Sequence, residues 1–215
     1  MKYSNKTRHS REKTNPRATK KRYLDKLKRL YPICKFDETR DDYALYHGHK
    51  ITYGEMEYTG IQKLYSYITK NYNPQINCFM DIGSGRGKLC MYMAAQSKIQ
   101  HVLGVELVKQ RHDDAVILKS QLKEKYSNKI DLINKNVLEI DFEKYNGSNV
   151  FVWFSNLCFE QSTTNDIFHK LQKHLPKGTI LCCSKQSNPE VGKLLHTIPI
   201  EMSWNKTSDV YIYLL

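Results

Sequence analysis

Asn77-Cys-Phe-Met-Asp81-Ile-Gly83-Ser-Gly85-Arg-Gly87-Lys88 decides how this chain is read. Asn77–Asp81 has the apolar character of a strand, and it runs directly into a loop with glycine at every second position. A helix is expected over Lys88–Gln96. A strand–glycine loop–helix unit suits a nucleotide, because glycines accept positive φ and let a ligand approach the backbone. A Walker loop would need glycine at position 82 and Ser or Thr at 89; the chain has Ile82 and Leu89 there. A dinucleotide fingerprint would place its third glycine at position 88, which is Lys88. S-adenosylmethionine (AdoMet) explains the leading acid as well. Asp81 at the strand's end can organise the loop around the cationic methionine end, with the Gly83 and Gly85 backbone against the nucleoside.

Working outward, His101-Val-Leu-Gly-Val-Glu106 reads as the next strand, with an acid at its tip. Glu106 is placed there to accept hydrogen bonds from both ribose hydroxyls. Further helices are expected at 57–72, with Thr59 or a neighbour as cap and Ile61, Leu64 and Ile68 on one face, at 108–125 and at 160–174. Strands are expected at 131–137, at the wholly apolar 149–154 and at 179–184. Ile198–Trp204 and Val210–Leu215 read as an antiparallel pair around a polar turn. The fold class is therefore α/β, a Rossmann-like, mostly parallel sheet with an antiparallel C-terminal edge.

The chain has 215 residues, enough for one domain with a core of its own. Its charge is uneven. Residues 1–30 hold twelve Lys or Arg against Glu12 and Asp25, which leaves only +2 of the total +12 for everything that follows. Residues 1–21 lack apolar periodicity and are expected to be a disordered basic arm. Residues 22–50 are expected to be a helical lead-in with Leu24, Leu27 and Tyr31 on one stripe, and residues 51–215 to be the catalytic domain. The arm, with Lys20, Lys21 and Arg22, suits nucleic acid through counterion release; a solubilising tail or import signal is the plainer reading. No apolar run approaches the ~18 residues of a membrane span, and no secretory signal opens the chain. The six cysteines form no C-x-x-C pattern and are read as reduced thiols, with Cys182 and Cys183 in the core. No metal site is expected, none of the eight histidines is assigned to catalysis, and an intracellular location follows.

Taken together, Ile51-Thr-Tyr53-Gly54-Glu55, the glycine loop, Gly104-Val-Glu106, Phe154-Ser-Asn156-Leu-Cys-Phe159, Ser184-Lys185 and Ser203-Trp204 occur in a telling order. In that order they resemble the class I AdoMet-dependent methyltransferases of the disruptor-of-telomeric-silencing family, the non-SET histone H3 lysine methyltransferases. The likeness runs from about residue 50 to the C-terminus. It implies AdoMet as cofactor, a histone lysine in the nucleosome as substrate and the nucleus as location. It further implies that Tyr53 and Glu55 cover the methionine end, Asp81, Gly83 and Gly85 form the floor, and Glu106 takes the ribose. Asn136 stands near the adenine amino group, able to accept through its carbonyl. Asn156 and Phe159 sit where methyl meets lysine, and Trp204 with Tyr211 or Tyr213 walls the lysine channel. The chain departs from the family pattern at Met56, at Lys88 in place of Gln and at Ser155 in place of Asn. A non-histone protein lysine, RNA, or a nucleic-acid-binding module without catalysis are the alternatives.

Overall fold

β1 (Cys78–Ile82) is buried at all five positions because it is an interior strand of a seven-stranded sheet. The computed structural model describes residues 16–31, 53–145, 147–187 and 191–215. β2 (His101–Glu106), β3 (Ile130–Asn134), β4 (Val150–Phe154) and β5 (Ile180–Cys183) join β1 in parallel. β7 (Ser208–Leu214) then adds antiparallel to β5, and β6 (Lys193–Ile200) antiparallel to β7, for a spatial order of β3-β2-β1-β4-β5-β7-β6. This is the expected mostly parallel sheet with an antiparallel edge.

Alternation within the strands divides the core in two. Phe79, Val102, Phe151 and Trp153 face one layer. Met80, Leu103, Val105, Val152 and Phe154 face the other. The first layer receives α1 (Pro16–Leu30), α2 (Tyr58–Asn71) and α3 (Lys88–Ala94), together with Leu118 of α4 (Lys109–Ser120) and Tyr126 of the short α5 (Glu124–Ser127). The second receives α6 (Gln161–His174) through Ile167, Phe168 and Leu171. Cys182 and Cys183 are buried as expected; the five cysteines among the described residues are all free, and Cys34 lies outside those residues. Among the described residues no helix is long and apolar enough to cross a membrane.

Several local expectations change. α1 begins at Pro16, inside the stretch read as an irregular arm, and the rest of that arm lies outside the described residues. Its buried stripe is Tyr23, Leu27 and Tyr31 rather than one starting at Leu24, which is only partly covered. Aromatic burial fixes that phase, with the Tyr23 and Tyr31 hydroxyls donating to the carbonyls of Met91 (2.8 Å) and Arg86 (2.9 Å). The N-cap of α2 is Glu57, without a side-chain bond, while the Thr59 hydroxyl donates to Glu201. The helix expected at 108–125 is divided between α4 and α5. β6 starts five residues before Ile198, over an exposed edge whose residues carry no burial signal.

Candidate active site

The strand order reverses beside β1, and the chain leaving the carboxyl ends of β1 and β4 leads to helices on opposite faces of the sheet, α3 and α6, the usual position of a ligand crevice in open α/β sheets. A cavity of about 300 Å³ lies at that point. Its lining includes Tyr53, Glu55, Asp81, Gly83, Gly85, Glu106, Asn136, Phe159 and Trp204, each of which the sequence reading assigned to the site.

The glycine loop is bent by left-handed residues, with φ of +77° at Gly83, +54° at Gly85 and +76° at Gly87. Gly87 closes the loop as the N-cap of α3. At Gly85 a side chain is excluded twice, by φ and by the Tyr53 ring, which a Cβ would approach to 2.5 Å. A Cβ built on Gly83 would meet nothing within 4 Å, so that part of the loop opens onto free space. Glu106 shapes the loop. Its Oε2 accepts from the Gly85 N–H and its Oε1 from the Val108 N–H, both at 2.7 Å. Burial raises its pKa above the ordinary value, an effect those N–H donors and the Arg111 guanidinium oppose. The carboxylate also lines the cavity, where the expected ribose contact falls.

Over the loop lies a strap that the sequence shows only as two distant motifs. Met56 forms an antiparallel bridge with Met202. On either side, the Glu57 N–H donates to the Glu201 carbonyl (3.1 Å) and the Ser203 N–H to the Glu55 carbonyl (2.8 Å). The Glu55 N–H in turn donates to Ser203 Oγ at 3.0 Å. Tyr53-Gly-Glu55 and Ser203-Trp204 are thus one piece of structure. Gly54 is needed for their close approach, since a Cβ there would stand 2.4 Å from the Trp204 ring. The Tyr53 hydroxyl donates to Glu55 Oε1, and Lys88 Nζ stands 3.1 Å from Glu55 Oε2.

Asp81 is the penultimate residue of β1, on the α3 side and in register with Gly104 and Trp153. Its Oδ2 accepts from the Cys90 thiol at 3.6 Å. Burial first, and the Glu106 and Glu55 carboxylates after it, push its pKa up to about 8, against the thiol's opposing bond. An acid raised in this way favours a cationic ligand that would let it ionise.

Four assigned residues lie elsewhere than expected. Asn156 is fully buried and does not line the cavity. Its Nδ2 donates to the Lys185 carbonyl (2.9 Å) and its Oδ1 accepts from the Lys185 N–H (2.8 Å), so it ties the loop after β4 to the loop after β5. Tyr213 is buried in the second core layer edge-on to Phe168, and its hydroxyl accepts from the Ser187 N–H. Tyr211 packs against the same layer, and neither tyrosine lines the cavity. Strand alternation and the hairpin's placement beyond β5 put both away from the mouth. Lys20, assigned to nucleic acid, instead donates to Gln96 Oε1 at 2.6 Å. Asn136 does line the cavity, but its carbonyl caps the turn Val137–Glu139 by accepting from the Leu138 N–H.

The sequence reading missed several lining residues. Lys88 was noted only as a break in a dinucleotide fingerprint and a departure from a family pattern, although its place beside Gly87 at the start of α3 was a signal. Arg111, with its guanidinium 4.9 Å from the centre of the Tyr53 ring, and Trp153, inside a strand read as core, carried none.

A sheet of this order, with an acid-led glycine loop and a second acid holding that loop, defines a class I AdoMet-dependent methyltransferase. Solved structures agree on the fold. The glycopeptide N-methyltransferase MtfA aligns at TM-score 0.54 and 10% identity over 74% of this chain and 96% of its own. The methyltransferase domain of the bacterial Hen1 protein CtHen1-CN aligns at 0.52 and 10% over 72% and 97%, respectively. The mitomycin 7-O-methyltransferase MmcR aligns at 0.52 and 10% over 73% of this chain and 53% of its own. The family model described as histone methylation protein DOT1 matches residues 39–186, well over half the chain, and the chain belongs to that family. No curated protein matches it. AdoMet is therefore its cofactor, and the open face of Gly83, the tight Gly85–Tyr53 contact and the raised Asp81 acid fit a cationic nucleoside.

Proposed function

We propose that this methyltransferase transfers its methyl group to a protein lysine, most specifically a histone H3 lysine within the nucleosome, in the nucleus. The observation that carries the reading is the apolar rim of the cavity. Exposed Leu157 and half-buried Phe159 and Trp204 form it, while the acids Glu55, Asp81 and Glu106 are buried. When bound, AdoMet supplies an electrophilic methyl group on a sulfonium. The residues of the chain handle the other reactant. A lysine amine is protonated at neutral pH, with an ordinary pKa of about 10.4, and only its neutral form is a nucleophile. Apolar walls at Leu157, Phe159 and Trp204 disfavour the ammonium and lower that pKa. Phe154 holds Phe159 edge-on at a centroid separation of 5.0 Å, and the strap fixes Trp204. Asn156, bonded to Lys185, positions the loop that carries Leu157 and Phe159. Alignment of the two reactants accounts for much of the rate in a displacement of this kind.

Nucleic acid is proposed as the second partner. Among the described side chains of α1 the exposed charged residues are Lys21, Arg22, Asp25, Lys28 and Arg29, four cations around one acid. That surface suits the DNA of a nucleosome, and it suits RNA equally.

The test is transfer of labelled methyl to nucleosomes, free histones, RNA and DNA by wild type and by Glu106→Ala. Label on nucleosomal H3, lost with Glu106→Ala, is the expected outcome. Label on RNA or on a non-histone protein alone would keep the enzyme and overturn the substrate.

A further inference from the structure

Lys185, in the loop after β5, holds the loop after β4 at two points. The Asn156 side chain bonds both its carbonyl (2.9 Å) and its N–H (2.8 Å), and the Cys183 thiol donates to the same carbonyl at 3.2 Å. Its Nζ donates in turn to the Phe159 carbonyl at 3.5 Å. Between those two points the Phe159 N–H donates to the Asn156 carbonyl at 3.1 Å, closing a turn that carries Leu157 and Phe159 to the cavity. The backbone of Lys185 is therefore fixed, and its half-buried ammonium stands behind the wall of the cavity without lining it.

Holding the loop does not need a charge. The Asn156 bonds are made to backbone, and a separation of 3.5 Å is long for a hydrogen bond. What the ammonium adds is a field. Among the described residues no carboxylate forms an ion pair with it. The other cations about the cavity are offset or distant. Lys88 stands 3.1 Å from Glu55, Arg86 stands 3.5 Å from Asp114, and Arg111 acts on Glu106. Lys135 follows β3, at the opposite end of the parallel strands from β5. The remaining titratable groups around Lys185 are Cys158 and Glu160 on the loop it holds, Cys183 on β5, and Tyr211 and Tyr213 on β7. Asp166, the first charged residue within α6, is exposed, and Asp81 completes the charged lining of the cavity.

We infer that the Lys185 ammonium favours the neutral, nucleophilic form of the incoming lysine: a fixed cation behind the wall disfavours a second cation in the channel and lowers the amine's pKa. This rests on the substrate being a protein lysine and deepens that reading, by giving a named side chain part of the deprotonation otherwise left to the apolar walls. The amine loses its proton to solvent, and its lone pair then forms the N–C bond while the electron pair of the broken S–C bond returns to sulfur. Lys185 keeps its own proton throughout and touches neither reactant.

Single-turnover transfer of labelled methyl to nucleosomes, with cofactor and substrate saturating, tests it from about pH 6 to about pH 10. The acidic limb of that profile reads the bound lysine. Lys185→Gln and Lys185→Met should move the limb upward by about 0.5–1 pH unit, about threefold to tenfold slower transfer at pH 7. The high-pH plateau should stay within about twofold of wild type, since there the amine is neutral without help. Lys185→Arg keeps the charge and should hold the limb at its wild-type position. Asp81 and the other groups named above are common to every variant, so the difference between limbs belongs to residue 185. Melting curves establish that each variant is folded. A lowered plateau with an unmoved limb would overturn the inference, by showing that the side chain only braces the loop. A limb moved equally by Lys185→Arg would overturn it too. If wild type labels no protein lysine at any pH, the substrate reading falls and takes the inference with it, a result distinct from an unmoved limb on a labelled lysine.

Discussion

Asp81 is a carboxyl buried at the end of the cavity, and its titration can be separated from the rest of the molecule. Its folded pKa of about 8 stands above the unfolded value of 3.8, so the native state holds the proton through a range where the unfolded chain has released it. A raised carboxyl of this kind makes stability fall as pH climbs from 3.8 to about 8, and no further above that. Asp81→Asn removes the group. The melting temperature of the variant should therefore gain on wild type across that window, by at most about 1.4 kcal/mol of stability per pH unit, and run parallel above it. Equal pH profiles for the two proteins would mean that Asp81 is already ionised in the unliganded fold. Glu106 shows why residue identity was easier to read than residue role. The acid at the tip of β2 was legible from spacing alone, but not that both of its oxygens bond the Gly85 and Val108 N–H groups. Asn156 makes the same point more sharply. An Asn after a buried strand must satisfy its amide, and it does so on the Lys185 backbone rather than in the cavity.

At the scale of elements, the strap joining residues 53–57 to 201–204 is the feature on which the site depends, and Gly54 tests it. Gly54→Ala drives a methyl group into the Trp204 ring. Overpacking of this sort costs about 1–3 kcal/mol, and opening the strap is the easiest relief. Trp204 emission should shift toward the red, methyl transfer should fall by more than about tenfold, since misalignment is felt steeply, and the melting temperature should drop only modestly. Unchanged emission and turnover would show that the strap tolerates the methyl and does not set the cavity wall. Periodicity made β1, β2, β4, β5, α2, α3 and α6 legible within a residue or two, because each buries a continuous face, whereas β3, mostly half-exposed, ends three residues before its expected end. It failed where burial is discontinuous. The first half of β6 is an exposed edge, and α1 hides its phase in tyrosines that are apolar on one side and hydrogen-bonded on the other. The misplacement of Tyr211 and Tyr213 has the same origin. The hairpin was legible, but which face of it turns to the cavity depends on its docking beside β5, and nothing local encodes that.

At the scale of the whole molecule, charge and fold are segregated but not separate. Nearly all of the net charge lies in the first thirty residues, yet α1 is fastened to the catalytic body by Tyr23, Leu27 and Tyr31, and Lys20 is drawn into that contact through Gln96. The cations of α1 proposed to meet a polyanion are therefore the outward four, Lys21, Arg22, Lys28 and Arg29, held on a helix that is docked on the body. Such a surface contributes affinity without sequence preference, and each phosphate neutralised releases counterions. Changing all four to Gln leaves the buried stripe intact, so the free energy of unfolding should stay within about 1 kcal/mol of wild type, as surface changes generally do. The slope of log K against log salt for duplex DNA should become shallower by up to about 3.6, or roughly 0.9 for each phosphate no longer neutralised. Lys20→Gln alone should leave that slope unchanged, because its ammonium already faces Gln96. A slope insensitive to the four substitutions would move nucleic-acid binding to residues 1–15. A slope that fell equally with Lys20→Gln would mean that the helix leaves the body when DNA is bound. Only the combination of a shallower slope and an indifferent Lys20 supports a docked helix that presents one basic face to a polyanion while its other face stays packed against the helix that follows the glycine loop.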